Sequence, residues 1–328
     1  MGKIEFIKDL FIRFNEYFNQ NIGGGVTLKA LYLWDVIFCF VVHGSSLTDY
    51  FEYEFYKKRN YEKKTFVTWR KARKYWKILD DRNYAEELHD KLRIYGNFND
   101  YLGRKWIYIK QSTFEEFSSF CINSPVLIIK PRRNSCGRGI RKLSVTPDTD
   151  LKEIYKVLLK EDLIIEEYIK QIDEMAEFHP QSVNTIRITV LRTGLRTQIM
   201  NAAFRIGNEA AVIDNHAAGG IVAAIDIESG IVTTTGIDKY SNRYIKHPMT
   251  GKVITGYQIP FWQEIKNLVI KIMSIAPRVC YVGWDIALTK SGPILIEGNY
   301  RGMFDVQQQA DQIGKRSIYE KALLHNQQ

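Results

Sequence analysis

The stretch YVGWDIALTKSGPILIEGNYRG, residues 281–302, decides how this chain is read. Two apolar runs flank Lys290, Ser291 and Gly292, the pattern of an antiparallel hairpin, yet Asp285, Glu297 and Asn299 stand where a core would take aliphatic side chains. If those three flanked residues form the turn, with Gly292 supplying the positive φ such a loop needs, Asp285 lies directly opposite Glu297. Glu297 and Asn299 are two apart and share the same face, because strand side chains alternate. Three oxygen-bearing side chains then converge. Two carboxylates that close repel unless a cation lies between them, and hard oxygen ligands suit Mg²⁺ bridging to phosphates. The same residues allow a plainer arrangement, with one acid capping the turn and the other in solvent.

Two upstream stretches bear on the choice. VLIIKPRRNSCGRGIRKLS, residues 126–144, is an apolar strand ending in Lys130, then a loop punctuated by Pro and Gly, then a second strand. Gly137 and Gly139 let backbone N–H groups approach an anion, and Lys130, Arg133 and Arg138 can neutralise a polyphosphate. It is not a P-loop: the GxxxxGKS/T spacing is missing, and strand character follows where a helix should start. A basic hairpin tip is the plainer reading. DLIIEEYIKQIDEM, residues 162–175, runs from an apolar strand into Glu166, Glu167, Tyr168 and Ile169, with Asp173 and Glu174 a turn later. Such a linker can offer backbone N–H and C=O groups to an adenine edge, while a later carboxylate reaches the ribose hydroxyls.

The rest of the chain bounds these readings. At 328 residues it exceeds what one core usually serves, so two or three lobes sharing a cleft are expected. Cys39, Cys121, Cys136 and Cys280 are scattered without zinc or disulfide spacing, and a reducing cytoplasm follows as the expected compartment. MGKIEFIKDLFIRFNEYF breaks its apolar positions with charges at helical spacing and reads as an amphipathic helix, without a cleavable signal. LKALYLWDVIFCFVVHG is shorter than the ~20 residues of a bilayer span and contains Asp35, so a buried helix is expected there, with membrane contact as the alternative. The formal charge of +9 is uneven: residues 56–77 hold ten Lys or Arg against one Glu. That segment could attract an anionic glycan or membrane surface, or be a solvated helical face; no nucleic-acid motif accompanies it.

Residues 1–104 read as mainly helical. From about residue 105, short β-branched runs (WIYIK, VLIIK, LIIEEYI, TIRITVL, QIMNAAFRI, GIVAAIDI, GIVTTTGI) alternate with turns and helices, including a helix from about Phe261 to Ile275. This is an α+β chain with largely antiparallel sheets.

The order of Lys130 with its Gly-rich loop, then EEYI, then D…EGN resembles the ATP-grasp enzymes, in which two α+β lobes hold ATP between them. SVNTIRITVL, DNHAAGGIVAAIDIESG and HPMTG followed by IPFWQEI look closest to the sugar-transfer-associated branch, found in bacterial polysaccharide assembly and likened to α-L-glutamate ligases. The resemblance implies a helical N-terminal region (1–104), a small lobe with Gly-rich loop and hinge (105–170) and a large lobe with the metal site (171–328). It implies ATP and Mg²⁺ as cofactors. Asp285, Glu297 and Asn299 would hold metal. Lys130, Arg133, Gly137, Arg138, Gly139, Glu166, Glu167, Tyr168, Ile169, Asp173 and Glu174 would bind nucleotide. Arg187, Lys130 and Asn215 would be catalytic, and Asn184, Arg187, Gly219, Gly220 and Arg301 would meet substrate. EGN departs from relatives that have an apolar residue between Glu and Asn, and the double arginine after Lys130 departs too. His216 and His247 carry little weight, because a lone histidine is usually structural.

A carboxylate–amine ligase forming an amide through an acylphosphate follows from this resemblance, joining an amino acid to a uronic acid or amino sugar of a surface glycan such as capsule or O-antigen. Such chemistry needs no enzyme nucleophile, and no Ser-His-Asp or Cys-His set stands out. A sugar phosphotransferase using the same site, and a non-catalytic nucleotide- or glycan-binding accessory protein, are the alternatives. The expected location is cytoplasmic, extending to peripheral contact at the inner membrane face if an acceptor is lipid-linked.

Overall fold

The computed structural model describes residues 3–79, 88–134, 138–194, 196–208, 219–276, 279–300, 302 and 304–324. Helices α1 (Lys3–Asn21), α2 (Val26–Val42), α3 (Leu47–Glu52), α4 (Asn60–Lys63), α5 (Trp69–Leu79) and α6 (Lys91–Asn97) come first. Side chains fix where some of them begin. Ser46 and Asp49 cap α3 reciprocally, and Asp90 accepts from the Leu92 N–H at 3.1 Å to start α6.

A four-stranded antiparallel sheet follows, in the order β1 (Trp106–Tyr108), β4 (Leu163–Glu167), β2 (Val126–Pro131), β3 (Arg141–Ser144). Helices α7 (Phe114–Asn123) and α8 (Leu151–Leu158) bury Phe117, Cys121 and Leu158 against Leu127, Ile129, Leu163 and Ile165. Alternation therefore puts Ile128, Lys130, Ile164 and Glu166 on the opposite face.

After α9 (Asp173–Ala176), the second sheet has seven strands, all antiparallel. Their order is β11 (Gly292–Tyr300), β10 (Tyr281–Thr289), β5 (Thr185–Thr193), β6 (Arg196–Ile206), β7 (Ile221–Ile225), β8 (Gly236–Ile237), β9 (Arg243–Tyr244). Helix α10 (Trp262–Ile275) lays Ile265, Val269 and Ile272, spaced four and three apart, against Ile186, Ile188 and Phe204. Each such side chain contributes about 1.5–3 kcal/mol on burial. The other face of this sheet is mostly polar around Arg187, Arg205 and Asp285, and apolar at Ala203, Val222 and Ala224, where α11 (Asp305–Asp311) packs. The N-terminal helices are not a separate body. Val67, Ala72, Tyr75 and Leu79 pack with Leu191, Met200, Tyr281, Phe304 and Tyr319, the last from α12 (Arg316–Leu324).

Two expectations need correction. The apolar segment read as a buried helix is α2, and only its Cys39 is buried; apolar residues occur on all its sides, so packing one stripe leaves the others exposed. GIVTTTGI forms no continuous strand. Thr234 Oγ1 accepts from the Ala224 N–H at 2.9 Å in place of a backbone partner, and regular pairing is limited to Gly236–Ile237.

Candidate active site

The hairpin of residues 281–300 is β10–β11, and its register puts Asp285 opposite Glu297. The expected three-residue turn is tighter by one, since Thr289 pairs with Gly292 and only Lys290 and Ser291 lie between them. A bulge at Ile296 returns the missing residue: Ile286 pairs with Leu295, Asp285 with Glu297. Two glycines let this hairpin carry large neighbours. A Cβ at Gly298 would lie 2.4 Å from the fully buried Trp284 ring directly opposite, and one at Gly283 would lie 2.9 Å from the Arg187 side chain. The small middle residue of EGN is thus demanded by Trp284.

Asp285 also stands opposite Arg187 on β5, and the two form a bidentate pair, with Nη2 to Oδ2 at 2.8 Å. Arg205, on β6, donates Nη1 to the same Oδ2 at 2.7 Å. Burial works against the Asp285 charge, but the two guanidinium groups outweigh it and hold the carboxyl well below the usual range. Asn299 Nδ2 lies 3.2 Å from Asp285 Oδ2 and 3.3 Å from Glu297 Oε1, so the three side chains do converge. Glu297 is only half-buried. Among the described residues no three His, Cys, Asp or Glu side chains group around a possible metal position. Two carboxylates and one amide fit Mg²⁺, which usually keeps waters and substrate phosphates as its other ligands. The Asn299 amide orientation follows from the hydrogen bonds assigned to it, and a turn about Cβ–Cγ presents its oxygen instead.

The second cluster is built on β2 and β4. Lys130 Nζ lies 2.5 Å from Glu166 Oε1, and Arg104 Nε donates to Glu166 Oε2 at 2.8 Å. Tyr95 Oη also donates to Glu166. All four side chains are buried. Burial disfavours the Glu166 carboxylate, yet Arg104 and Lys130 overcome this and bring its pKa down to about 2. Lys130 is likewise penalised by burial and more than compensated by Glu166 and Tyr95, so it holds its proton above the usual range. Two cations against one anion leave a net positive charge here. Arg104 Nη1 donates further to Leu295 O at 2.8 Å and Nη2 to Ile296 O at 3.2 Å, tying the first sheet to the bulge that sets Glu297.

Lys91, on α6, was not singled out from sequence, and it links the clusters. Burial lowers its proton affinity, Glu297 raises it and Lys130 lowers it, which places the ammonium within electrostatic reach of both. Its Nζ donates to Asn134 O at 2.6 Å, at the base of the Gly-rich loop.

The remaining expected residues divide. Arg132 and Arg133 differ: Arg132 forms the strong pair with Asp90 and lies over Tyr108, while Arg133 is exposed and reaches Asp90 only at 3.4 Å. Arg138 and Gly139 are exposed, with Gly139 at φ +77°. In the hinge, the Glu167 carboxylate accepts from the Lys105 N–H and Ser124 Oγ, each at 2.8 Å, and the Tyr168 ring faces Lys142. Ile169 is buried, and its N–H has no partner among the described residues. Asp173 and Glu174 are exposed on the first turn of α9. Gly219 accepts from Asn208 at 3.3 Å, next to a buried Gly220. Gly137, Asn215, His216 and Arg301 lie outside the described residues.

Asn184, expected to meet substrate, is held inside the protein. It is fully buried, its Nδ2 serves Gln171 Oε1, Met175 O and His179 O, and its Oδ1 accepts from the Gly207 N–H at 3.0 Å. Both amide hydrogens are engaged within the protein, and one lone pair of Oδ1 remains. His247 is structural as well, bonding Gly207 O at 2.8 Å, and burial lowers its pKa.

Sequence reasoning also missed Arg205, Arg104 and Tyr95. The signal for Arg205 was present: a lone arginine in the apolar run QIMNAAFRI, whose pairing with β5 puts it on the Arg187 face. A further carboxylate group lies within electrostatic range of Arg187. Asp305 feels its charge, and Glu52 and Asp49 from α3 feel Asp305; burial raises all three carboxyls, Asp49 to about 6.

The family model described as sugar-transfer associated ATP-grasp matches residues 62–321. The chain belongs to that family, and its fold is the α+β ATP-grasp fold with a helical N-terminal region. Similar solved structures include the ATP-grasp ligase PsnB complexed with minimal precursor, Mg and ADP, at 13% identity and TM-score 0.47, covering 76% of this chain and 62% of that one. D-alanyl-alanine synthetase A from Vibrio cholerae O1 biovar eltor is 14% identical with TM-score 0.44, covering 73% and 64%. N5-carboxyaminoimidazole synthetase from Staphylococcus aureus, complexed with ADP, is 14% identical with TM-score 0.42, covering 70% and 52%. The chain thus spans less than two thirds of the PsnB chain. No curated protein matches it.

Proposed function

We propose that the chain is an ATP- and Mg²⁺-dependent carboxylate–amine ligase that forms an amide through an acylphosphate. The observation that carries this is the convergence of Asp285, Glu297 and Asn299 beside Arg187, joined through Lys91 and Arg104 to the net-positive Lys130–Glu166 cluster. A carboxylate oxygen attacks the γ-phosphorus of ATP and ADP leaves. The amine then attacks the acyl carbon, inorganic phosphate leaves, and the nitrogen loses a proton.

In this reading Lys130 and Lys91 neutralise the nucleotide phosphates, with Arg133, Arg138 and the loop ending at Gly139 closing over them. The Ile169 N–H meets the adenine edge. Asp285, Glu297 and Asn299 hold Mg²⁺, which offsets charge on the phosphates. Arg187, oriented by Asp285, faces the phosphoryl group in transfer. Catalysis is then positioning and electrostatics. Family membership supports a sugar-linked substrate, which we take as an amino acid joined to a uronic acid or amino sugar, free, nucleotide-activated or lipid-linked.

The test is ATP turnover with ADP and AMP separated, over amino acids crossed with uronic acids and nucleotide sugars. ADP release that requires both an acid and an amine supports the ligase. ADP with a phosphorylated sugar and no amide would make the protein a phosphotransferase, and Mg·ATP binding without turnover on any acceptor, polymeric ones included, would make it an accessory protein.

A further inference from the structure

The exposed surface of α1 and α2 is unlike the rest of the protein. The two helices meet at a bend of 114° across a break of at most four residues. Their inner sides bury Phe14, Phe18 and Cys39 against α3. Their outer sides leave Ile4 72%, Val26 86%, Leu31 63% and Trp34 71% exposed, alongside many more apolar residues of the same two helices. Soluble monomers rarely expose contiguous apolar patches of this kind without a function. Asp35, the only acid of α2, is satisfied from the protein side: Tyr50 Oη donates to it at 2.7 Å and Lys63 Nζ approaches at 3.4 Å.

A basic element adjoins this surface. Arg70 of α5 donates to Phe40 O at 2.6 Å and Val41 O at 3.0 Å, so α5 is anchored at the C-terminal end of α2. Helix α5 buries Ala72, Tyr75 and Leu79, contains no acid, and exposes Arg73, Lys74 and Lys77. Trp69 is half-exposed beneath the Arg73 guanidinium, 4.7 Å from ring centroid to Arg73 Cζ. Apolar bodies bordered by Trp and cationic heads match the interfacial zone of a bilayer.

We propose that the α1–α2 bend docks as an interfacial element on an anionic lipid bilayer, with Arg73, Lys74 and Lys77 on the headgroups. The helices lie in the surface and do not cross it. No single described helix is long and apolar enough to span, and the 17 residues of α2 reach only about 25 Å at 1.5 Å per residue, against a core of about 30 Å. A second copy of the chain is the less favoured occupant, because pairing through this face brings two α5 helices and their like charges together. Docking holds the Mg·ATP cleft at the membrane surface. It stands independently of whether the cleft is a ligase.

The experiment is co-sedimentation of the full chain with extruded vesicles of phosphatidylcholine, with and without phosphatidylglycerol. Sedimentation with the anionic vesicles is expected, weakening as salt rises. Arg73→Glu/Lys74→Glu/Lys77→Glu should lower partitioning about 100-fold, and Leu31→Glu/Trp34→Glu should lower it at least as far, while both keep the wild-type melting curve. Brominated lipid should quench the tryptophan emission, and Trp34→Phe should remove most of that quenching. If the Leu31/Trp34 variant fails to fold, the charge variant and the quenching decide. Absence of vesicle binding, binding that survives both variant sets, or a dimer dispersed by Leu31→Glu in lipid-free solution would each overturn the proposal, the last assigning the face to a second copy.

Discussion

Arg187 Nη2 donates to Asp285 Oδ2 at 2.8 Å across paired strands, and Arg205 closes on the same oxygen, so the expected metal ligand is also the anchor of two buried guanidinium groups. The two duties separate experimentally. Asp285→Asn strips the charge from between two arginines and should destabilise the protein by about 3–5 kcal/mol in chemical denaturation, as breaking a buried ion pair does. It should also abolish Mg²⁺-dependent turnover, and retained turnover would remove the metal assignment.

Glu297 offers the contrast. It is half-buried, lies opposite Asp285, and meets Asn299 only at 3.3 Å. Glu297→Gln should therefore leave stability within about 0.5 kcal/mol. It should raise the Mg²⁺ concentration needed for half-maximal turnover and lower kcat about 100-fold. A large stability loss with unchanged Mg²⁺ dependence would make Glu297 a structural residue.

How legible the site was depends on how local each relationship is. The Asp285–Glu297 pairing was readable because a hairpin fixes register over few residues, and it survived an error in the turn because a bulge compensated it. The Lys130 loop and the EEYI hinge were likewise readable as strand ends. Arg104, Tyr95 and Lys91 were not. Each acts through contacts made by the packing of helical segments onto sheets many residues away, as when Arg104 meets Glu166 and Leu295 together. Asn184 differs, since three of its four partners, Gln171, Met175 and His179, lie within 13 residues upstream and only Gly207 comes from farther along the chain. The exposure of α2 was misjudged because an apolar helix looks the same in sequence whether protein or something else covers it.

Acid titration should show the Glu166 cluster. Its carboxyl falls from an ordinary 4.5 to about 2 in the folded protein, so its contribution is complete above pH 4.5 and is lost as pH drops toward 2. Asp49 has the opposite sign. Its carboxyl is raised to about 6, so the unfolded chain releases that proton first and stability declines as pH rises from about 4 to 6. Equilibrium denaturation across pH 2–7 should therefore give a maximum near pH 4–5, on the order of that window. In Asp49→Asn the decline on the alkaline side should flatten, and in Glu166→Gln the stability deficit relative to wild type should shrink as pH falls below 4.5.

Lys91 gives the sharpest test of where nucleotide binds. It stands on the short helix α6, feels the charges of both Glu297 and Lys130, and donates to the Asn134 carbonyl at the base of the Gly-rich loop. Removing its charge leaves no buried carboxylate unpaired, because Glu166 keeps Arg104 and Lys130. Lys91→Met should accordingly cost less than about 1 kcal/mol of stability while weakening Mg·ATP binding about 10–100-fold by calorimetry, the loss expected for one charge-assisted phosphate contact. Arg132→Ala is the control, since it strips the Asp90 carboxylate of its main partner and should destabilise the protein by about 1–3 kcal/mol. If Lys91→Met binds Mg·ATP as wild type does, the phosphates lie elsewhere than between β2 and β11.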